Sequence, residues 1–253
     1  MSSILEVEGL KVSFGGLTAV NGLSFAITEG SITGLIGPNG SGKTTAFNLI
    51  SGVIKPDAGR VVLNGRNVAG WAPHRITAQG LARTYQISRV FGQMTVWENM
   101  MVAAGRATHP PAERARLLLE RVNLYDHRDA MGADLSYGQA KLLEIVRSLM
   151  LEPKLLLLDE PFAGVNPTMG QTVLAILHEL HAEGLTILVV DHAMSIIMNL
   201  CERLLVMDMG ALIADGPSTQ IQQNEEVIEA YFGRRGAKLV EAAAGATNSD
   251  GEA

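Results

Sequence analysis

The feature that most constrains this chain is a glycine-rich segment of eight residues, 37–44, with the sequence GPNGSGKT. An apolar run typical of a strand precedes it at residues 32–36, and residues 45–50 have the composition of a helix start. Its glycines allow a tight turn in which successive backbone N–H groups point at phosphate oxygens, and the following helix N-terminus adds its positive end. Because a phosphate-binding loop requires this order of strand, loop and helix, the sequence predicts a site for nucleotide phosphates.

Individual residues of this loop have predicted roles. Lys43 is expected to reach the β- and γ-phosphates, and the hydroxyl of Thr44 is expected to ligate Mg²⁺. The predicted nucleotide-binding residues in this part of the chain are Gly37, Pro38, Asn39, Gly40, Ser41, Gly42, Lys43, Thr44 and Thr45. The alternative is a glycine-rich turn with an incidental lysine. It would require all eight positions to match the phosphate-loop pattern by chance between a predicted strand and a predicted helix.

Composition limits the possible ligands and surroundings. The chain has 253 residues, of which 47% are hydrophobic, enough for a sizeable core in one or two domains. Its net charge of −6 and the absence of a polybasic block argue against nucleic acid as the main ligand. Because Cys201 is the one cysteine, no internal disulfide is possible, and we expect a reducing compartment and a buried, inert thiol.

Neither a secretory signal peptide nor a membrane span is expected. The N-terminal residues have no basic region followed by a long apolar stretch. The longest apolar runs, such as residues 155–158 and 187–190, are well short of the roughly 20 residues that a transmembrane helix needs. If the chain serves a membrane process, we expect it to act from the cytoplasmic side through partners.

The hydrophobic pattern divides the chain into three regions. Residues 5–14 show period-two alternation around a turn at Gly9, and further strands are expected at 23–27 and 60–63, so the N-terminal part is predicted to be strand-rich and mostly antiparallel. Residues 72–151 have helical periodicity and are expected to form a subdomain that can rotate as a unit. Between residues 155 and 200, apolar runs alternate with helical segments, which predicts a parallel α/β core. A hairpin formed by residues 204–208 and 211–214 is predicted to follow, and then a short helix at 227–232.

Two carboxylates follow a predicted buried strand in the second half of the chain. Residues 155–158 are all leucine, and Asp159 and Glu160 come directly after them. Because ligands bind at the carboxyl ends of strands in open parallel sheets, Asp159 is predicted to hold Mg²⁺ through water. Glu160 is then placed to accept a proton from the water that attacks the γ-phosphate. The alternative is an acidic strand end that caps the next helix.

Residues 135–139, Leu-Ser-Tyr-Gly-Gln, open a long predicted helix. Here the sequence resembles the ATP-binding subunits of ABC transporters, whose signature is Leu-Ser-Gly-Gly-Gln, and the resemblance covers residues 5–236. Tyr137 replaces the first glycine of that signature. Ser136, Gly138, Gln139 and the helix N-terminus remain available to bind phosphate. For the segment by itself, the alternative is an ordinary serine helix cap.

The resemblance implies a fold and an activity. The fold is α/β: an ABC-type P-loop NTPase with a RecA-like parallel-sheet core, an N-terminal antiparallel β subdomain and a helical subdomain. The domain is expected to span residues 1–236, with the helical subdomain at about 87–152 and a disordered C-terminal tail at 237–253. The activity is ATP hydrolysis, with ATP and Mg²⁺ as cofactors.

The resemblance also assigns roles to four residues outside the motifs described above. Gln86 matches the lid glutamine that contacts Mg²⁺ and the attacking water, and His192 matches the switch histidine that touches the γ-phosphate. Phe14 stands where the family places an aromatic ring that stacks on adenine, although a core phenylalanine is the alternative. Asn166 replaces an aspartate in the loop after the general base, so the contact made there across subunits is expected to differ.

More specifically, the chain resembles the ATP-binding subunits of branched-chain amino acid importers in residues 91–99, 160–167 and 227–233. This implies a partner ATP-binding subunit, identical or different, with each ATP between the phosphate loop of one subunit and the signature of the other. It also implies transmembrane permease subunits, an external substrate-binding protein that acts indirectly, and a location at the cytoplasmic face of the membrane. Residues 88–97, with the apolar Val90, Phe91, Met94 and Val96, are predicted to line a groove for a short permease helix, unless they form a core-packed turn.

Other functions remain open from the sequence. Importers of urea, amides or aromatic acids share the same pattern, and lipid exporters use related subunits. A soluble ABC ATPase of repair or translation usually carries two nucleotide domains or long coiled-coil inserts, and this chain has neither. A phosphate-loop kinase is disfavoured by the signature and by Gln86 and His192. The sequence of this chain does not specify the transported solute, because in such systems a permease and a separate binding protein contact it.

Overall fold

The computed structural model describes residues 2–86, 89–105 and 110–231. The predicted tail at 237–253 lies outside these residues. The described part contains two sheets, one antiparallel and one mostly parallel, with helices packed around them. This is the predicted α/β architecture with an antiparallel β subdomain, a parallel-sheet core and a helical region.

The antiparallel sheet is built mainly from the N-terminal residues. Its strands are β1 (Ser3–Phe14), β2 (Leu17–Thr28), β4 (Ala58–Leu63) and β5 (Arg66–Asn67), in the order β2-β1-β4-β5. The predicted turn at Gly9 is wrong, because β1 is continuous through it. Its pairing with β2 shifts between Val7 and Leu10, and Gly9 has a φ of +57°. This irregularity leaves two successive residues exposed, so Val7 and Leu10 both face the core.

The second sheet carries the nucleotide-binding side of the fold. Its order is β10-β9-β3-β8-β7-β6, with parallel pairing from β9 to β6 and β10 antiparallel at the edge. The strands are β3 (Ile32–Ile36), β6 (Leu81–Arg83), β7 (Leu155–Asp159), β8 (Thr186–Val190), β9 (Arg203–Asp208) and β10 (Ala211–Pro217). The predicted parallel core and terminal hairpin are confirmed. The helical assignment of residues 72–151 is wrong at β6, which is too short to show a period-two pattern.

Helices pack on both sides of the parallel sheet. They are α1 (Lys43–Ile50), α2 (Pro73–Thr77), α3 (Val96–Ala103), α4 (Pro111–Arg121), α5 (Tyr137–Leu149), α6 (Pro167–Ala182), α7 (Met194–Leu200) and α8 (Ser218–Ile221). The helices α3, α4 and α5 contact one another and form the helical region between β6 and β7. Residues 225–231 are also helical, as predicted for the segment that starts at Val227. None of the helices in the described ranges is long and apolar enough to cross a bilayer.

The parallel sheet divides the buried core into two clusters. Successive residues of β7 point to opposite faces, so Leu156 and Leu158 pack toward the helical region. Leu155 and Leu157 pack toward the antiparallel sheet and α1. Both faces of the strand are therefore buried, which explains why its sequence is continuously apolar up to Asp159.

Candidate nucleotide and catalytic site

The glycine-rich segment joins β3 to α1, as the sequence predicts. Gly37 has a φ of +149°, and a Cβ atom there would lie 2.1 Å from the carbonyl oxygen of Met207. Gly42 has a φ of +103°, and its Cβ would lie 2.5 Å from the carbonyl oxygen of Ala19. No side chain fits at either position without moving neighbouring backbone, so the loop conformation requires glycine at both.

Lys43 is the first residue of α1 and is almost completely buried. Its Nζ donates hydrogen bonds to the carbonyl oxygens of Gly37, at 2.8 Å, and Pro38, at 2.9 Å. Burial lowers the pKa of Lys43, and the negative charges of Glu160 and Asp159 partly oppose this shift. The loop thus wraps around a positive charge that faces two carboxylates.

A cleft of about 910 Å³ opens beside this loop. The predicted site residues that line it are Phe14, Asn39, Gly40, Gly42, Lys43, Thr44, Thr45, Gln86, Glu160 and His192. Phe14 is 49% exposed at the end of β1, so it is not a core residue. The fold therefore gathers residues from five separate parts of the chain around one space that is large enough for a nucleotide.

Three of the predicted site residues meet at the carboxylate of Glu160. Nε2 of His192 lies 2.7 Å from Oε1 of Glu160. The side-chain amide of Gln86 donates a hydrogen bond of 3.0 Å to Oε2. Each oxygen of Glu160 is therefore held by one of the other two residues predicted to be catalytic. Because Glu160 lies in the wall of the cleft next to Lys43, its carboxylate can accept a proton from a molecule bound there.

Asp159, the last residue of β7, is buried and forms an ion pair with Arg83. The Arg83 guanidinium donates to Asp159 Oδ2 at 2.9 Å and also donates to Asn48 on α1 and to Ser51, which follows α1 directly. Within the described residues, Asp159 Oδ1 is buried and has no hydrogen-bond partner. A buried carboxylate oxygen normally has a partner, and hard cations prefer such an oxygen, so this atom fits the predicted magnesium role.

Asp191, which precedes His192, has a structural role that the sequence does not indicate. Its carboxylate is buried and accepts two backbone hydrogen bonds, from Phe162 at 2.8 Å and from Ala193 at 2.9 Å. We call residues 161–166, which follow Glu160, the post-Glu160 loop. Asp191 thus ties this loop to the segment that contains His192. The only sequence signal for this role is that Asp191 is adjacent to His192.

Sequence reasoning also missed two residues of α5 that hold the backbone next to Gln86. Glu144 accepts a hydrogen bond of 3.1 Å from the N–H of Tyr85, and the Lys141 Nζ lies 3.5 Å from the Tyr85 carbonyl oxygen. Burial raises the pKa of Glu144, while the Tyr85 N–H and the charge of Lys141 oppose the shift. Because most of the other buried residues of α5 are apolar, the sequence indicated only a helix face that packs in the core.

The signature residues are not part of the cleft. Ser136 caps α5, and its Oγ accepts a hydrogen bond of 3.3 Å from the N–H of Gln139. The side chain of Gln139 accepts in turn from the N–H of Ser136 at 3.0 Å. Gly138 lies against Met169 of α6, where an added Cβ would be 2.8 Å from the methionine side chain. The described cleft is lined without Ser136, Gly138 or Gln139.

The apolar residues of the predicted permease groove differ in their exposure to solvent. Phe91 is 48% exposed, and the Arg147 guanidinium lies 5.0 Å from the centre of its ring. Val90 and Met94 are partly buried. Val96 is completely buried, so its predicted place in the groove lining is wrong. It is the first residue of α3, and its side chain packs in the core between the helices and the sheet.

Two families match parts of the chain. Residues 20–163 match the family described as ABC transporter. Residues 211–237 match the family described as branched-chain amino acid ATP-binding cassette transporter. The first match contains the glycine-rich segment, Gln86, the signature and Glu160, so it covers most of the predicted site.

Curated relatives and solved structures agree with these matches. The chain is 39% identical to the high-affinity branched-chain amino acid transport ATP-binding protein BraF of Pseudomonas aeruginosa, over 91% of this chain and 98% of BraF. It is 37% identical to LivG of Salmonella typhimurium, a protein of the same description, with the same coverage. The ADP conformation of MJ1267, an ATP-binding cassette of an ABC transporter, has a TM-score of 0.84 and 33% identity, and the match covers 92% of this chain and 100% of that one. The chain therefore belongs to the ABC transporter family, as one of its ATP-binding, ATP-hydrolysing subunits.

Proposed function

We propose that this chain drives an importer of branched-chain amino acids or closely related small solutes from the cytoplasmic face of the membrane. The observation that carries the choice of solute is the match of residues 211–237 to a family described by branched-chain amino acid transport. The relatives BraF and LivG are described as high-affinity branched-chain amino acid transport ATP-binding proteins, and they match over nearly their whole length. The cleft geometry supports the ATPase half of the proposal.

ATP would lie in the cleft with its phosphates along the glycine-rich loop. Backbone N–H groups of that loop and Lys43 would bind the phosphates, and the exposed ring of Phe14 would stack on adenine. Thr44, Gln86 and Asp159 would hold Mg²⁺, and the unpaired Oδ1 of Asp159 supports this assignment. When bound, the ion neutralises charge on the phosphates.

Hydrolysis would proceed by attack of water on the γ-phosphorus. The Glu160 carboxylate takes a proton from this water as the new P–O bond forms and the bond to the β-phosphate oxygen breaks, which gives ADP and phosphate. Gln86 and His192 hold the two carboxylate oxygens of Glu160 in place. His192 is also half-exposed toward the cleft, where its ring can contact the γ-phosphate.

The site would be completed by a second ATP-binding subunit. Ser136, Gly138 and Gln139 lie outside the cleft of their own chain, which supports a role at the nucleotide of a partner. The partner is a different ATP-binding subunit or a second copy of this chain. Permease helices would dock at the exposed ring of Phe91 in the helical region.

Solute uptake tests this proposal directly. Cells that lack the chain are expected to lose uptake of radiolabelled leucine, isoleucine or valine, and the wild-type gene is expected to restore it. Glu160→Gln is expected not to restore it, although the protein is made at the same level. Recovery of urea, amide or aromatic acid uptake, with no effect on branched-chain amino acids, would show that the proposed solute class is wrong.

A further inference from the structure

Tyr137, the residue that departs from the family signature, contacts the post-Glu160 loop of its own chain. Its hydroxyl donates a hydrogen bond of 3.1 Å to the carbonyl oxygen of Ala163. Its ring lies against Gly164, where an added Cβ would be 3.2 Å from the nearest ring carbon. A glycine at position 137 would make neither contact, so this connection depends on the tyrosine.

Two features of the structure favour glycine at position 164. Its φ of +71° is one that residues with a side chain rarely adopt, and an added Cβ would lie closer to the ring than an ordinary van der Waals contact. Tyr137 therefore contacts the carbonyl oxygen of Ala163 and the backbone of Gly164. The contact joins the first turn of α5 to the loop that leads back to Glu160.

The backbone of Glu160 needs support from this loop. Glu160 has a φ of +50°, in the left-handed region that is unfavourable for a residue with a side chain. Such a conformation persists only when surrounding contacts hold it. On the buried side, the Glu160 N–H bonds to Val190 at 2.7 Å, and Phe162 bonds to Asp191. On the exposed side, the Ala163 N–H bonds back to the Glu160 carbonyl oxygen, and Tyr137 holds the Ala163 carbonyl.

We propose that Tyr137 is a positioning residue for ATP hydrolysis, which fixes the post-Glu160 loop from outside and so holds the Glu160 carboxylate in its catalytic position. This rests on the proposed role of Glu160 as proton acceptor. Because Tyr137 contacts the post-Glu160 loop of its own chain, this role differs from the proposed contact of Ser136 with a partner's nucleotide. Loss of Tyr137 slows the chemical step and leaves ATP affinity unchanged.

Steady-state ATP hydrolysis by the full chain, assembled with its native partners, tests the proposal. Tyr137→Phe removes only the hydroxyl, and we expect kcat to fall about twofold to tenfold, the range for loss of one neutral hydrogen bond, with KM for ATP unchanged. Tyr137→Gly restores the common family signature but removes both contacts, and we expect a larger loss of kcat. Tyr125→Phe removes a hydroxyl from a tyrosine in the helical region whose ring lies under Arg128; it is the matched control and keeps wild-type kinetics.

The alternatives give different results. If Tyr137 is a tolerated departure from the signature, Tyr137→Gly has wild-type or higher kcat, and the proposal is overturned. A loss confined to KM, or one matched by an equal loss of thermal stability in both variants, would also overturn it. Glu160→Gln is measured in parallel: if it retains turnover, the role of Glu160 is wrong. If it is inactive while both Tyr137 variants behave as wild type, only the role of Tyr137 is wrong.

A double-mutant cycle with Asp191 locates the effect on the loop. Asp191→Asn weakens the buried attachment of the same loop, so combining it with Tyr137→Phe should change kcat by a factor that differs from the product of the single effects. Residues that act through shared structure couple in this way, commonly by about twofold or more. Strictly multiplicative effects on kcat would show that Tyr137 does not act through the post-Glu160 loop.

Discussion

His192 Nε2 lies 2.7 Å from Glu160 Oε1, although the two residues are 32 positions apart in the sequence. Glu160 directly follows β7, and His192 comes two residues after β8. These strands are neighbours in the parallel sheet, with Asp159 paired to Val190, so their carboxyl ends meet at one edge. The sheet register therefore brings a carboxylate and an imidazole together beside the phosphate loop.

Replacing Glu160 by glutamine tests its role as proton acceptor. The amide preserves the size of the side chain but cannot accept the proton, so we expect kcat to fall by at least about a hundredfold. ATP affinity, measured with a fluorescent nucleotide, should remain close to that of wild type. Glu120→Gln, at an exposed acid paired with Arg116 on α4, is the control and should hydrolyse normally. Near-wild-type turnover by Glu160→Gln would reject the assignment.

Replacing Lys43 by alanine is expected to weaken nucleotide binding itself. The variant removes the buried positive charge at the start of α1 that faces Glu160 and Asp159. We expect at least a tenfold rise in the dissociation constant for ATP, since charge-assisted bonds contribute roughly 1.5–3 kcal/mol each. Lys55→Ala removes an exposed lysine and should bind ATP as wild type does. Unchanged affinity in Lys43→Ala would count against the phosphate-loop assignment.

The exposed ring of Phe91 and the buried side chain of Val96 allow a paired test of the permease surface. Phe91→Glu should fold normally, because the ring is half-exposed and the new carboxylate lies beside Arg147. It should nevertheless lose co-purification with the permease and uncouple ATP hydrolysis from transport. Val96→Glu buries a charge in the core and should unfold the chain. A Phe91→Glu variant that unfolds would place Phe91 in the core instead.

Mixing two inactive variants tests whether sites are shared between chains. Lys43→Ala disables the phosphate loop of one chain, and Ser136→Arg disables the signature of the other. A mixed pair then contains one doubly damaged site and one intact site, so we expect partial recovery of ATPase activity. The isolated wild-type chain should be mostly monomeric by analytical ultracentrifugation, with weak nucleotide-dependent self-association. Full activity in monomeric Ser136→Arg would exclude a shared site.

The single cysteine should be inert in the native protein. Cys201 is 2% exposed, and burial raises the pKa of its thiol from 9.0 to about 12. Because the thiolate is the reactive form, both access and ionisation at pH 8 are suppressed. A thiol reagent such as DTNB should label native protein very slowly and label one thiol per chain at once in urea. Rapid stoichiometric labelling of native protein would contradict this burial.

Much of the site could be predicted from the sequence because its parts are local. The glycine-rich segment specifies its own turn and the helix that follows, and its neighbouring apolar run specifies a strand. Four leucines before Asp159 and Glu160 likewise define a buried strand end. Such signals depend on backbone freedom and on hydrophobic periodicity, which short stretches of sequence carry by themselves. The resemblance to a family then pointed to Phe14, Gln86 and His192, and in the structure all three line one cleft.

Other features depend on contacts between distant residues, which have no local pattern. Only the tertiary structure decided that Arg83 pairs with Asp159, that Asp191 holds Phe162 and Ala193, and that Tyr137 holds Ala163. It also decided that β1 continues through Gly9 and that Val96 is buried, since both follow from packing against other elements. The sequence by itself determined which residues can do the chemistry. The packing of sheets and helices determined which residues hold them in place, because those contacts form only after distant segments have been brought together.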